Sequence, residues 1–317
     1  MEETLATRYK PAKLEHFYLD DKSNNIIETL LSLNSLNLLI VGESGTGKTS
    51  LVNTVISLYY KDVHFPKNDI MMITSLQDQG ITFYRNDVRT FCQTPSSLPH
   101  KKKIMIIDNL DTVNDQSQQV FRNCIDKYHH NVQFLATCIN MQKIIESLQS
   151  RLNIIRIPRI SSTCLLHIAK QISQAEGLKI TNDSMDFICK ASNNVSTLIN
   201  YIEKFRLLDK KITLKDAREL CTNINYNSFD LYNQLCKQKN MIAAARLLYK
   251  HVDDGFSVMD VLDSYFGYIK TLSSIDQSYK YKLIPVLCKY MAMFHCLHED
   301  EVELLFFTND VIDIFCS

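Results

Sequence analysis

Three of the seven glycines in this 317-residue chain, Gly42, Gly45 and Gly47, fall inside six positions. Glycine serves where backbone must adopt positive φ or approach something closely. Here it sits in the run Gly42-Glu43-Ser44-Gly45-Thr46-Gly47-Lys48-Thr49, which fits GxxxxGK[ST] at every fixed position. An apolar, strand-like segment leads into the run and a helix-period segment leads out. In such a loop successive backbone N–H groups wrap phosphates, and the helix N-terminus adds positive potential. Lys48 is then placed to reach the β- and γ-phosphates, and Thr49 to ligate Mg²⁺. The expected cradle is Gly42, Glu43, Ser44, Gly45, Thr46, Gly47, Lys48, Thr49 and Ser50, with ATP and Mg²⁺ as cofactors.

The pattern around the cradle predicts an α/β architecture. Asn37–Val41, Ile70–Thr74, Ile104–Ile107, Val132–Cys138 and Asn153–Ile157 read as short strands. Between them, Leu51, Val52, Val55, Ile56 and Tyr59 recur at helical spacing, as do Ile81, Tyr84, Val88 and Phe91. A further helix runs from a cap at Asn114 to Tyr128. Strands alternating with helices of this length imply right-handed crossovers and a parallel sheet covered on both faces. Ile104-Met105-Ile106-Ile107 ends in Asp108, where an aspartate at the mouth of a buried strand holds Mg²⁺. Asp111, nearby, is expected to point elsewhere, and Lys101-Lys102-Lys103 to solvate the loop before that strand.

From Pro158 onward the strand signals fade, and the chain reads as helical. The polar stretch Thr222–Ser228 looks like a hinge, with further breaks near Asp253-Asp254-Gly255 and at Pro285. The expected parts are residues 1–158, an α/β ATP-binding domain; 159–224, a small helical domain; and 225–317, an all-α C-terminal domain. No apolar run is long enough to cross a bilayer, and the acidic start of the chain does not resemble a secretory signal. Ten cysteines without a CxxC or CxxxC pair read as reduced thiols of an intracellular protein. With 35 basic and 35 acidic residues, a generally polycationic nucleic-acid coat is excluded, although a local basic track is not. His295 and His298 lack companions at ligand spacing and read as ordinary helix residues.

These motifs lie inside a longer ordered set. Arg8-Tyr9-Lys10-Pro11, the segment from Ser75 to Ile81 with Arg85, Arg89 and Phe91, the helix Asp115–Tyr128, and the run Lys143–Arg151 all follow in sequence. Together they resemble the small subunits of replication factor C, the AAA+ clamp loaders, well over residues 8–160 and more weakly beyond. Asp254-Gly255-Phe256-Ser257 looks like that family's collar turn. The resemblance implies an AAA+ P-loop NTPase with a parallel five-stranded sheet, a helical lid and an all-α collar. It further implies a pentameric ring with ATP at subunit interfaces, opening a sliding clamp around primer-template DNA, with no membrane partner. Arg151 matches the arginine finger that acts on a neighbouring subunit's ATP. Arg85 and Arg89, i and i+4 on one helix face, match the basic residues that follow the DNA backbone. Such contacts are independent of sequence and sensitive to salt. A nuclear location is implied for a cellular eukaryote. High Asn and Ile usage without tryptophan hints at an AT-rich genome, viral or protist.

Three departures bear on activity. Asn109 stands where the family has a catalytic glutamate, and an amide cannot accept a proton from water. Asn140 falls one residue after the family's sensor asparagine, with Ile139 at the aligned position, and is a candidate sensor. The lid's paired arginines are replaced in Asn193-Asn194-Val195-Ser196-Thr197. Two readings follow: a working ATPase subunit of a clamp loader, or an ATP-holding structural subunit that hydrolyses little itself and lends its finger. A third, an initiator or helicase-loading AAA+ protein, would call for a winged helix whose strand pair is not evident.

Overall fold

The computed structural model describes residues 3–61, 67–74, 81–192, 194–208, 210–271, 277–296 and 300–316, apart from the side chains of 67, 81–85 and 294–296. The chain divides into two compact units. One is Met1–Ser161 with Asn194–Ser196, and the other is Ser162–Asn193 with Thr197–Ser317.

In the first unit, α1 (Leu5–Arg8) and α2 (Asp21–Ser32) precede β1 (Leu38–Val41) and α3 (Lys48–Tyr59). There follow β2 (Ile70–Ile73), α4 (Ile81–Gln93), β3 (Lys103–Ile107), α5 (Asp115–Tyr128), β4 (Val132–Cys138), α6 (Glu146–Gln149) and β5 (Asn153–Arg156). The strands form one five-stranded sheet in the order β2-β3-β4-β1-β5, with every pairing parallel. All of β3 and β4 is buried, as strands covered on both faces must be. Side chains alternate between faces with period two. Leu38, Ile40, Ile104 and Ile106 therefore join Leu51 and Val55 of α3 in one core, while Leu39, Met105 and Ile107 join Phe121 of α5 in the other. The cap expected at Asn114 forms, its Oδ1 accepting from the Ser117 N–H at 2.8 Å.

Strand register places the site. Ile40 lies beside Thr137 and Val41 beside Cys138, while Ile107 lies beside Ala136. Parallel pairing then carries residue 108 to the flank of residue 137, next to where β1 turns into the glycine loop.

Lys101–Lys103 do not solvate a loop. Lys103 opens β3 and is 4% exposed. Its Nζ donates to the Phe91 carbonyl at 3.2 Å and to Thr94 Oγ1 at 2.5 Å, and lies over the Phe91 ring. Lys101 Nζ donates to the Tyr59 carbonyl at 2.7 Å. Long aliphatic stems cover apolar surface while their ammonium tips find carbonyl oxygens at helix ends.

The second unit is helical: α7 (Ser162–Ala175), α8 (Asn182–Ala191), the body of α9 (Val195–Leu208), α10 (Leu214–Leu220), α11 (Tyr226–Lys237), α12 (Met241–Asp253), α13 (Val258–Thr271), α14 (Gln277–Cys296) and α15 (Val302–Cys316). Two expectations fail here. The stretch 222–228 is packed: Ile224 is 1% exposed, Asn225 caps α11, and the Tyr226 ring meets Phe187, Phe229 and Tyr268. Its polar residues serve as caps, which composition alone reads as a hinge. Pro285 breaks nothing, for α14 runs through it. Leu283 and Leu287 on either side are fully buried, and their packing outweighs the missing backbone hydrogen bond.

A hydrogen-bond chain crosses this core. Arg218 on α10 donates to Asp230 Oδ2 at 3.0 Å, and Tyr268 on α13 donates to Asp230 Oδ1 at 2.6 Å. Asn233 Nδ2 donates to the Tyr268 hydroxyl, and Tyr265 donates to Asn233 Oδ1 at 2.7 Å. Tyr232 adds a link to Thr308 on α15. Elsewhere His251 lies 3.0 Å from Ser228 Oγ, its ring against Phe229.

Candidate nucleotide-binding site

The glycine loop leaves β1 with the Gly42 N–H donating to the Cys138 carbonyl at 3.2 Å. A Cβ at Gly42 would stand 2.9 Å from Thr46 Oγ1, and Gly45 and Gly47 have φ of +73° and +91°. Only glycine builds this path without strain. Gly47 is the N-cap of α3 and offers no side-chain cap, so the first N–H groups of a twelve-residue helix are left for an anion. Lys48 is 7% exposed, its Nζ donating to the carbonyls of Gly42 at 2.9 Å and Glu43 at 2.8 Å. Burial lowers its pKa below the usual lysine range, opposed by Asp108, Cys138 and Asp111. The Cys138 thiol is itself pushed up to about 12 by burial and by Asp111, and is therefore neutral near pH 7. Thr49 is exposed on the first turn of α3. A positive-φ loop, an uncapped helix end, a buried ammonium and a nearby carboxylate are the donor set that a phosphate chain with a divalent cation requires, so the residues fit ATP and Mg²⁺.

Asp108 follows β3, its N–H donating to the Ile73 carbonyl at 2.9 Å. Its Oδ1 accepts from the Thr137 hydroxyl at 2.6 Å, and that hydroxyl accepts from the Asn109 N–H at 2.9 Å. Asn109 is left-handed, at φ 53° and ψ 56°. Asp111 turns its Oδ2 to the backbone, accepting from the N–H groups of Ile139 at 3.3 Å and Asn140 at 3.0 Å. It thereby ties the exit of β3 to the exit of β4. Asn140 is exposed, and its Oδ1 accepts from the Gln142 N–H to cap the next turn.

Asn194, grouped with the first unit, donates from Nδ2 to the Ser44 carbonyl at 3.3 Å. Its side chain fills the space that a Cβ on Gly45 would need. Glu43 pairs with Arg159 at 2.6 Å. Arg151 lies after α6. Its Nε donates to Asp126 Oδ1 at 2.5 Å and its Nη1 to the Ser147 carbonyl at 2.6 Å. The guanidinium beside Asp126 holds that carboxyl below the usual carboxylate range. Arg89 is exposed on α4, away from buried Val88 and Cys92. The side chain of Arg85 lies outside the described residues, as do residues 75–80, His298 and the side chain of His295.

The structure thus gathers Lys48, Thr49, Asp108 and Asn109 at one end of the sheet. Sequence reasoning missed Thr137, Asp126 and the contact from Asn194. A hydroxyl within a strand that is apolar apart from Gln133, beside Asp108 in register, was the available signal for Thr137.

Residues 38–159 match the family model for the "ATPase family associated with various cellular activities (AAA)". The fold is also that of the RuvB Holliday junction branch migration motor of Thermotoga maritima, with a TM-score of 0.52 at 13% identity over 75% of this chain and 84% of that one. Residues 38–159 thus form a P-loop domain of the AAA class. Within that class the chain is similar to replication factor C small subunits, as the motifs implied. Replication factor C subunit 4 of Saccharomyces cerevisiae is 27% identical over 79% of this chain and 77% of its own length. A protein of Acanthamoeba polyphaga mimivirus, named as a replication factor C small subunit, is 23% identical over 88% and 87%.

Proposed function

We propose that this chain is a clamp-loader small subunit that binds ATP with Mg²⁺ at a subunit interface and helps to load a sliding clamp onto primed DNA during replication. The observation that carries this is the convergence of the glycine loop, buried Lys48 and Asp108 at one end of a parallel sheet. It is supported by replication factor C relatives that align over most of the chain. Bound ATP would supply a hydrolysable γ-phosphate, and Mg²⁺ would offset the charge on its phosphates. Lys48 and the first N–H groups of α3 bind the phosphates, while Thr49 and Asp108 hold the cation. Arg151 faces the neighbouring subunit, where a guanidinium supplied in trans is worth ~10³ or more in rate. Arg85 and Arg89 follow the phosphate backbone of primer-template DNA. Residues 1–158, 159–224 and 225–317 act as ATP-binding domain, lid and ring-forming collar.

A second reading, an ATP-holding subunit with little hydrolysis of its own, is favoured by Asn109. Loss of a positioned general base typically costs ~10²–10⁴ in rate. Asn140, engaged in capping, is the candidate sensor.

The test is co-purification from the native source, followed by ATPase assays with and without primed DNA and clamp. Lys48→Ala is expected to abolish nucleotide binding by this chain, and Arg151→Ala to slow the complex without altering this chain's own affinity. Asp108→Ala separates the two readings, lowering turnover only if this subunit hydrolyses ATP. Arg85→Glu with Arg89→Glu is expected to weaken primer-template binding and flatten its salt dependence. Properly folded chain that shows no saturable binding of ATP with Mg²⁺, even beside its partner subunits, refutes the proposal.

A further inference from the structure

We infer that Thr137 is a positioning residue for the metal: its hydroxyl holds the Asp108 carboxylate so that the second oxygen is presented to the cation. This rests on the nucleotide-site reading above and adds the group that sets its metal affinity.

A hydroxyl carries one proton and two lone pairs. The Asn109 N–H donates to Thr137 Oγ1 at 2.9 Å, so the hydroxyl proton goes to its other partner, Asp108 Oδ1, at 2.6 Å. The direction of both bonds is thereby fixed. Asp108 is pinned at its N–H by Ile73 and at Oδ1 by Thr137. Among the described residues, no hydrogen bond or ion pair engages Oδ2. Asp108 is also the largest charged influence on Lys48, which puts the carboxylate beside the cradle.

Packing does not call for a hydroxyl here. Thr137 is 1% exposed in a strand whose other residues, Gln133 apart, are apolar. Valine would fill the same space, but it would leave Oδ1 and the Asn109 N–H without a partner and free the carboxylate to turn. A hydrogen bond to an ionised acceptor is among the stronger kinds. Removing the partner of a metal-ligating carboxylate typically weakens the metal ~10–100-fold.

The experiment measures binding of a non-hydrolysable ATP analogue to the full-length chain, with Mg²⁺ titrated and with EDTA. Thr137→Val is expected to raise the Mg²⁺ concentration for half-maximal enhancement ~10–100-fold while leaving the affinity in EDTA unchanged. Thr137→Ser, which keeps the hydroxyl, is expected to restore the wild-type midpoint. Thr137→Ala replaces the valine variant if that one does not fold. An unchanged Mg²⁺ midpoint in the hydroxyl-free variant overturns the assignment. So does an equal loss of binding with and without Mg²⁺, which would mark the hydroxyl as merely structural, or a serine variant that behaves like valine. Wild-type chain that binds no nucleotide overturns the cradle itself, and this assignment with it.

Discussion

Asn109 stands where the resemblance to clamp-loader subunits implies a glutamate, and its backbone is left-handed. Asparagine enters that region more readily than most side chains, whereas an ordinary residue pays about 1–2 kcal/mol there. Asn109→Glu is therefore expected to lower stability by about 1 kcal/mol, with Asn109→Gly costing less, as read from urea midpoints. Much of the candidate site was legible at this scale, because Lys48 and Thr49 follow from the local spacing of the glycine loop and Asp108 from its place at the end of an apolar strand. Thr137 and Asp126 were not, since each matters only through a partner 29 or 25 residues away.

Among the elements, α14 carries the clearest lesson. Pro285 reads as a stop signal, yet it is exposed inside a helix whose buried Leu283 and Leu287 hold it together. Pro285→Ala regains a backbone donor and loses no core contact. It is expected to stabilise the second unit by about 1–3 kcal/mol, measured by denaturant unfolding. The strands were legible to within a residue because β1, β3 and β4 are short apolar runs bounded by polar residues. The short helices α1 and α6 were not, since four residues show no period. On α12, burial lowers the pKa of His251, against a raising effect from Asp254 and with Lys250 assisting. A depressed histidine is neutral in the folded state, so the unfolded chain binds more protons below its ordinary value of 6.5. The second unit should thus lose stability as pH falls through 6.5 toward the lower folded value, and His251→Gln should flatten that slope in melts at pH 7.5 to 5.5.

At the scale of the whole chain, two units with separate cores imply that a ligand of the first acts there. ATP with Mg²⁺ at 100 times Kd is expected to add ~2.7 kcal/mol to the unfolding of the first unit. That corresponds to roughly 5–10 °C in its transition, with the shift absent in Lys48→Ala. Calorimetry with and without EDTA checks it. The second unit depends instead on its polar relay from Arg218 through Asp230, Tyr268 and Asn233 to Tyr265. Each member satisfies the next, so removing Tyr265, Asn233 or Tyr268 strands a buried donor or acceptor. Over generations such a set is inherited as a block: descendants of this chain should either keep all five side chains or exchange them together for an oily substitute, with half-changed lineages scarce.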